Sequence, residues 1–368
     1  MKIALLTFHN ASNYGAALQA YALQQALFDM GYDNEYINYV NTRRANVYNM
    51  GYHMVNALFV RRDPKLAIKY LLGTPFMEVR SRRFKGFFAE NLKFTEAIYR
   101  TSESARELNT RYDKFVVGSD QVWNSRHNGG DTAYLLDFVD DHTKKISYAS
   151  SFGFVETPSE VKERYTTYLG QFSALSTREM SGVDVIKCLT GRDSKLVIDP
   201  LFLLSASRWR RVKRREFCED YIFSYTNKGG QFEEFLKVAN YDMRGLQHYK
   251  LASSTTVRDL LSPSTRVMYT MSPYDFVSAV DNARLVVTAS FHCVALSIIL
   301  NRDFVAVLTG DEGRDSRIVS LLEMMGLQHR ILGEALDVNE PIDFTFANRQ
   351  IQRYVEEAID YLHRSIAK

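Results

Sequence analysis

Apolar residues along the chain come in short, β-branched-rich runs divided by polar loops and helical stripes, and the order repeats. Ile3 to Phe8 reads as a strand buried on both faces, followed by the polar loop His9-Asn-Ala-Ser-Asn-Tyr-Gly15. The spacing of Leu18, Leu23, Leu27 and Met30 predicts a helix over 16–30 that Gly31 stops. With a strand at 34–40 this makes one βαβ unit. Lys114-Phe-Val-Val-Gly-Ser-Asp120 and Lys145-Ile-Ser-Tyr-Ala-Ser-Ser-Phe-Gly153 predict two further strands with small, polar ends. A helix near 158–168, a short strand at 174–177 and a closing strand at 195–199 complete the first series.

After Pro200 comes a basic run, Arg208 to Arg215, which reads as a solvated helix at a domain junction. A second alternation then begins. Strands are predicted at 221–225, 246–251 and 267–270, with helices at 232–238 and 274–280. Its centre is Arg284 to Asn301, where the strand Leu285-Val-Val287 hands over through Ser290, Phe291 and His292 to a helix running to Leu300. The run Phe304 to Leu308 predicts the next strand, and the loop after it carries Arg314 and Arg317 into a helix at 318–325. Ile351, Val355, Ile359, Leu362 and Ile366 form a terminal amphipathic stripe.

The pattern predicts an α/β protein of two Rossmann-like, doubly wound domains facing one another across a cleft. The first covers residues 1–200, with a basic, aromatic insertion at 61–100, and the second covers 201–345. Residues 346–368 are expected to form a helix bracing the two. Such sheets bind ligands beyond the carboxyl ends of their strands, where helix amides can hold an anion. His292, Ser290, Arg314 and Arg317 are therefore candidates for a ligand carrying phosphate and carboxylate, since arginine offers both a bidentate fork. Asp120 is a candidate base for a hydroxyl, with Ser119 beside it. Asn13 and Gly15 either shape their turn or leave room for substrate at the sheet edge. The first loop lacks G-x-G-x-x-G, so it carries no dinucleotide fingerprint.

Composition narrows the choice. With 46% hydrophobic and 24% charged residues the chain has the make-up of a globular protein. A charge of +3, from 46 basic and 43 acidic side chains, gives no argument for nucleic acid. Cys188, Cys218 and Cys293 form no C-x-x-C pair, so neither metal nor a disulfide framework is expected, and a reducing cytoplasm fits. The first apolar run is too short for a signal sequence, and no run approaches the roughly 18 apolar residues of a membrane span. Between Arg61 and Arg100, ten Lys or Arg stand against four acids, a local excess of six interleaved with aromatics. That segment suits peripheral contact with the anionic inner face of a membrane or with a lipid diphosphate, or a solvated helix pair packed on the sheet.

Six blocks then resemble one family in order over roughly residues 1–330. They are Phe8-His-Asn-Ala-Ser-Asn-Tyr-Gly-Ala-Ala-Leu-Gln-Ala-Tyr-Ala-Leu-Gln24, Val117-Gly-Ser-Asp-Gln-Val-Trp-Asn124, Ser147-Tyr-Ala-Ser-Ser-Phe-Gly153, Ser176-Thr-Arg-Glu179, Ile198-Asp-Pro200 and Ser290-Phe-His292. The family is that of the polysaccharide pyruvyl transferases. The resemblance implies a GT-B-like fold and transfer of a pyruvyl unit from phosphoenolpyruvate to a sugar, as a cyclic ketal, with no cofactor. The acceptor would be a glycan or a lipid-diphosphate-linked sugar. It also implies that Arg178 contacts the donor, that His292 is the acid or phosphate partner, and that Arg317 completes the donor pocket. Many relatives carry Arg-Leu-His where this chain has Ser290-Phe291-His292, so Arg314, Ser290 or helix amides must replace one arginine contact. The alternatives on the same fold are a glycosyltransferase using a nucleotide sugar and a non-catalytic glycan-binding or assembly protein.

Overall fold

A computed structural model describes residues 1–9, 11–47, 50–214, 217, 219–243, 245–251, 259, 261–333 and 336–368. Arg215 and Cys218 fall outside the described residues, as do the side chains of Lys69 and Leu72. The chain divides into two compact units, one of Met1–Pro200 with Glu357–Lys368 and the other of Leu201–Glu356.

The first unit is built on a five-stranded sheet. Its elements are β1 (Lys2–Leu6), α1 (Tyr14–Asp29), β2 (Asp33–Tyr39), α2 (Met50–Val55), α3 (Pro64–Asn91), β3 (Phe94–Tyr99), β4 (Lys114–Val117) and β5 (Lys145–Ser147). Strand order is β3-β2-β1-β4-β5, and every pairing is parallel. Buried Ala4, Leu6, Ile37, Phe115 and Val117 make the near-continuous apolar strands that a sheet covered on both faces requires. Beyond β5 lie α4 (Ser159–Leu169), β6 (Ser176–Thr177), α5 (Met180–Thr190) and β7 (Lys195–Leu196), with β6 and β7 forming a small parallel pair.

The segment at 61–100 is no insertion. Its helix α3 is the crossover between the parallel neighbours β2 and β3, and the segment ends in β3 itself, which its charge and aromatics had masked. Asp63 caps α3 by accepting from the Leu66 amide at 2.9 Å.

The second unit repeats the plan. It contains α6 (Ala206–Val212), β8 (Tyr221–Tyr225), α7 (Gln231–Val238), β9 (Gln247–Leu251), β10 (Thr265–Met268), α8 (Pro273–Asp281), β11 (Leu285–Thr288), α9 (Phe291–Leu300), β12 (Phe304–Ala306) and α10 (Glu312–Met325). The parallel order β10-β9-β8-β11-β12 matches the first sheet strand for strand. Helix α6 is more than a solvated run. Trp209 is fully buried, and Arg210 and Lys213 reach the buried carboxylate of Asp281 at 3.0 and 3.3 Å. The final helix, α11 (Thr345–Ala367), starts in the second unit, and its residues from Glu357 onward belong to the first. No helix among the described residues is long and apolar enough to cross a membrane.

Candidate functional site

In each sheet the strand order reverses once, between β1 and β4 in the first unit and between β8 and β11 in the second. The chain leaves such neighbouring strands in opposite directions, which opens a crevice at their carboxyl ends. The chemistry-bearing residues of this sequence collect at those two places.

In the second unit, β11 ends at Thr288 and α9 begins at Phe291, so His292 lies in the helix's first turn. Ser290 occupies the N-cap, but its hydroxyl makes no capping bond, and its amide donates to the Thr288 hydroxyl at 3.0 Å. A helix start without a side-chain cap presents amides and the positive end of the helix dipole. His292 is buried, its ring 5.2 Å from that of Phe291, and the Arg317 guanidinium stands 6.0 Å from the Phe291 ring centre on its other neighbour, α10. Adjacent strands β11 and β12 thus lead into the two helices that carry these residues, Ser290 and His292 at the start of α9 and Arg317 on α10 near Phe291. The start of α10 differs. Asp315 turns inward and accepts from the amides of Thr309 and Gly310, at 2.9 and 2.7 Å, so those donors are taken. Arg314 is half-exposed and 3.8 Å from Asp311. Lys228, which the sequence did not single out, follows β8 and donates to the Thr309 carbonyl at 2.7 Å. Cys293 sits one residue past the imidazole, but burial pushes its thiol up to about 12, which disqualifies it as a nucleophile near neutral pH.

In the first unit, three of the sequence blocks meet at Arg178. Its side chain is 0% exposed, with Asp199 at 2.8 Å, Asp120 at 3.5 Å and Glu179 at 3.7 Å. Burial alone would weaken its hold on the proton, but the three carboxylates more than offset that and leave its pKa raised. The resemblance implies that this guanidinium contacts a donor, and the structure surrounds it with carboxylates. One cation among three buried carboxylates is already claimed, and the cluster offers no surplus positive charge to a phosphate. Ser119 is likewise fully enclosed. Its hydroxyl donates to Asp199 at 3.0 Å, its amide to Gln19 Oε1 at 3.1 Å, and its carbonyl accepts from Thr7 at 2.9 Å.

Asn13 and Gly15 have structural duties as well. Asn13 Oδ1 caps α1 through the Ala16 amide at 3.1 Å, and Gly15 is buried in the same turn. Asp120 is the carboxylate of the cluster with an accessible edge, its side chain 13% exposed. Its φ of +72° is a left-handed conformation that costs a non-glycine residue energy, and such positions gather at functional sites. Gly118, at φ +130°, makes the turn possible, since a Cβ there would stand 2.0 Å from the Tyr148 carbonyl oxygen.

A further histidine, His9, belongs to the first unit. It follows β1 at the first unit's reversal point, buried, with Nδ1 3.3 Å from the Thr7 carbonyl oxygen. A carbonyl only accepts, so Nδ1 carries the hydrogen. Burial lowers the imidazole pKa to about 4 against the pull of Thr7 and Asn38, which leaves it neutral with a lone pair on Nε2. Nε2 has no hydrogen-bond partner among the described residues. His9 lines a cavity of about 500 Å³ with Ser12, Glu78, Ser81, Lys85 and Phe88. The clue in the sequence was placement, because Phe8-His9 stands after β1 as Phe291-His292 stands after β11.

His248 is a second neutral imidazole, stacked 3.7 Å from Phe232 and pushed to about 3 by burial and then by Lys250. Both groups titrate near 6.5 when unfolded. Below that pH the unfolded chain takes up protons that the folded chain refuses. Their contribution is therefore complete above pH 6.5 and is lost as pH falls toward 4. Each should remove ~1.4 kcal/mol of stability per pH unit in that window. Unfolding midpoints measured from pH 7 to 4.5 should fall more gently in His9→Gln and His248→Gln, and slopes equal to the parent's would contradict these assignments.

Three comparisons bear on this geometry. The family model for polysaccharide pyruvyl transferase matches residues 13–311. No curated protein matches the chain. Among solved structures, the UDP-GlcNAc 2-epimerase of Methanocaldococcus jannaschii is similar at 10% identity and a TM-score of 0.52, covering 96% of this chain and 99% of its own. UGT89C1 of Arabidopsis thaliana, solved with UDP-L-rhamnose, is similar at 8% identity and a TM-score of 0.54, covering 100% and 99%. Likeness at such identities is likeness of fold, and it agrees with a GT-B-like arrangement of two Rossmann-like sheets. With its blocks in order and the match spanning most of its length, the chain belongs to the polysaccharide pyruvyl transferase family.

Proposed function

We propose that the chain moves the pyruvyl group of phosphoenolpyruvate onto two hydroxyls of one sugar, in a polysaccharide or its lipid-linked precursor, and releases phosphate. The observation that carries this reading is His292 in the first turn of α9, which has no side-chain cap, at the reversal point of the second sheet, with Arg317 6.0 Å from the ring of the neighbouring Phe291. Phosphoenolpyruvate carries about three negative charges near neutral pH, which suit a guanidinium and a helix N-terminus. His292 gives a proton to the methylene carbon, which becomes the methyl group. One sugar hydroxyl then bonds to C2 and loses its proton, for which Asp120 is the proposed base. The second hydroxyl bonds to the same carbon as the C–O bond to phosphate breaks, and its proton is carried off by the leaving phosphate or solvent. Arg178 serves this chemistry indirectly by fixing Asp120.

Calorimetry tests the donor. Phosphoenolpyruvate should bind the parent chain and bind Arg317→Ala about tenfold more weakly, the loss expected for one charge-assisted contact. A chain that binds UDP but not phosphoenolpyruvate would overturn the reading in favour of glycosyl transfer.

A further inference from the structure

Several of the first unit's large exposed apolar side chains, among them the two most exposed, fall in one stretch of chain where α2 meets α3. These two helices pack together through a π-helical turn, Asn56–Val60. At its end Phe59 is 76% and Val60 73% exposed. Val55 and Leu58 before them, and Ile68 and Leu71 in the first two turns of α3, are exposed as well. Arg61, Arg62 and Lys65 follow directly and point to solvent, while the one acid among them, Asp63, is used as the cap of α3. An apolar point ringed by cations is costly to leave in water and has a matching surface in an anionic bilayer. There the apolar residues enter the acyl boundary and the cations meet the headgroups.

We infer that this turn docks the protein on an anionic lipid surface through Leu58, Phe59 and Val60, held by Arg61, Arg62 and Lys65. The assignment moves the contact away from Arg80, whose Nη2 donates to the Ser12 carbonyl at 2.7 Å and whose guanidinium lies 4.9 Å from the Tyr14 ring centre. The same helix connects the lipid contact to the interior. Thr74, Met77, Glu78, Ser81 and Lys85 of α3 all line the cavity that holds His9, and Thr74 is ~15 Å of helix beyond Pro64. An acceptor carried on a lipid would thus be presented beside that cavity. Only this last step rests on the proposed function, because docking itself needs neither phosphoenolpyruvate nor sugar.

Vesicle sedimentation tests it. The full chain should bind phosphatidylcholine vesicles that contain phosphatidylglycerol, bind pure phosphatidylcholine much less, and release as salt rises. Phe59→Ser with Val60→Ser, and separately Arg61→Gln with Arg62→Gln, should each weaken binding about tenfold or more, given the apolar and electrostatic contributions of such residues. All four side chains are exposed, so folding should survive, which circular dichroism checks. A parent chain that ignores anionic vesicles would overturn the inference, as would binding that both double variants retain. Loss of self-association instead of vesicle binding in the variants would mean that the turn meets a second copy, and would overturn it equally. Phosphoenolpyruvate turnover in detergent solution, measured in parallel, stands or falls independently.

Discussion

Replacing Arg178 with methionine is expected to cost about 3–5 kcal/mol of stability, enough to unfold the first unit or leave it insoluble. The reason is arithmetic of charge in a dry place. Asp199 and Glu179 are buried, Asp120 is nearly so, and one guanidinium serves all three. Without it two or three carboxylates face each other with nothing to neutralise them. Arg178→Lys should fall between parent and methionine, because it restores the charge but not the fork that reaches Asp199 and Asp120 at once. Denaturant midpoints of the three proteins check this. An unshifted midpoint in Arg178→Met would mean that the cluster does not hold the unit together. An arginine whose only task was to bind donor would give that result, with the loss confined to KM.

His292→Gln is expected to act in the opposite way, sparing the fold and removing the reaction. Glutamine fills much of the same space in the first turn of α9 but cannot pass a proton to carbon. A single positioned acid is worth about 10²–10⁴ in rate, so kcat should drop by that factor while the unfolding midpoint stays close to the parent's. Arg317→Ala should instead raise KM for phosphoenolpyruvate with a smaller effect on kcat. If His292→Gln turned over at the parental rate, the imidazole would have no part in the chemistry.

These two predictions mark where the sequence was legible. Runs such as Leu285-Val-Val287 and Phe115-Val-Val117 announce buried parallel strands, because both faces must be apolar and nothing else in the chain needs that pattern. The corner at Ser290, Phe291 and His292 could be read for the same reason, since strand end, loop and helix start follow one another without a gap. Strand β3 could not, because as an edge strand it carries Glu96 and an exposed Ile98 and looks like the continuation of a charged helix. The surroundings of Arg178 are not legible in the sequence, because two of its partners lie in other blocks. Asp120, Ser119 and Asp199 reach it only once β4 has paired with β5 and β6 with β7, so its burial is a tertiary fact.

Much of what made the blocks recognisable turns out to be architecture. Trp123 is fully buried with its indole N–H donating to the Tyr134 carbonyl at 2.9 Å, and Asn124 caps a short helix. Ser147 and Ser176 tie β5 to β6 through a hydroxyl-to-carbonyl bond of 3.1 Å. Tyr148 donates to the Ile198 carbonyl at 3.0 Å, and burial drives its phenol well above the usual value, which keeps it a donor. His9 was overlooked for the converse reason. A polar loop offers many side chains, and only the fold decides which of them is buried and held neutral against a cavity.

The most direct measurement is the mass of a glycan acceptor after incubation with the enzyme and phosphoenolpyruvate, followed together with released phosphate. Pyruvyl transfer predicts an acceptor heavier by one pyruvic acid less one water, one phosphate freed for each, and neither product with His292→Gln. An acceptor that returns unchanged across a broad panel of sugars, or that gains a glycosyl unit when a UDP-sugar replaces phosphoenolpyruvate, would contradict the account.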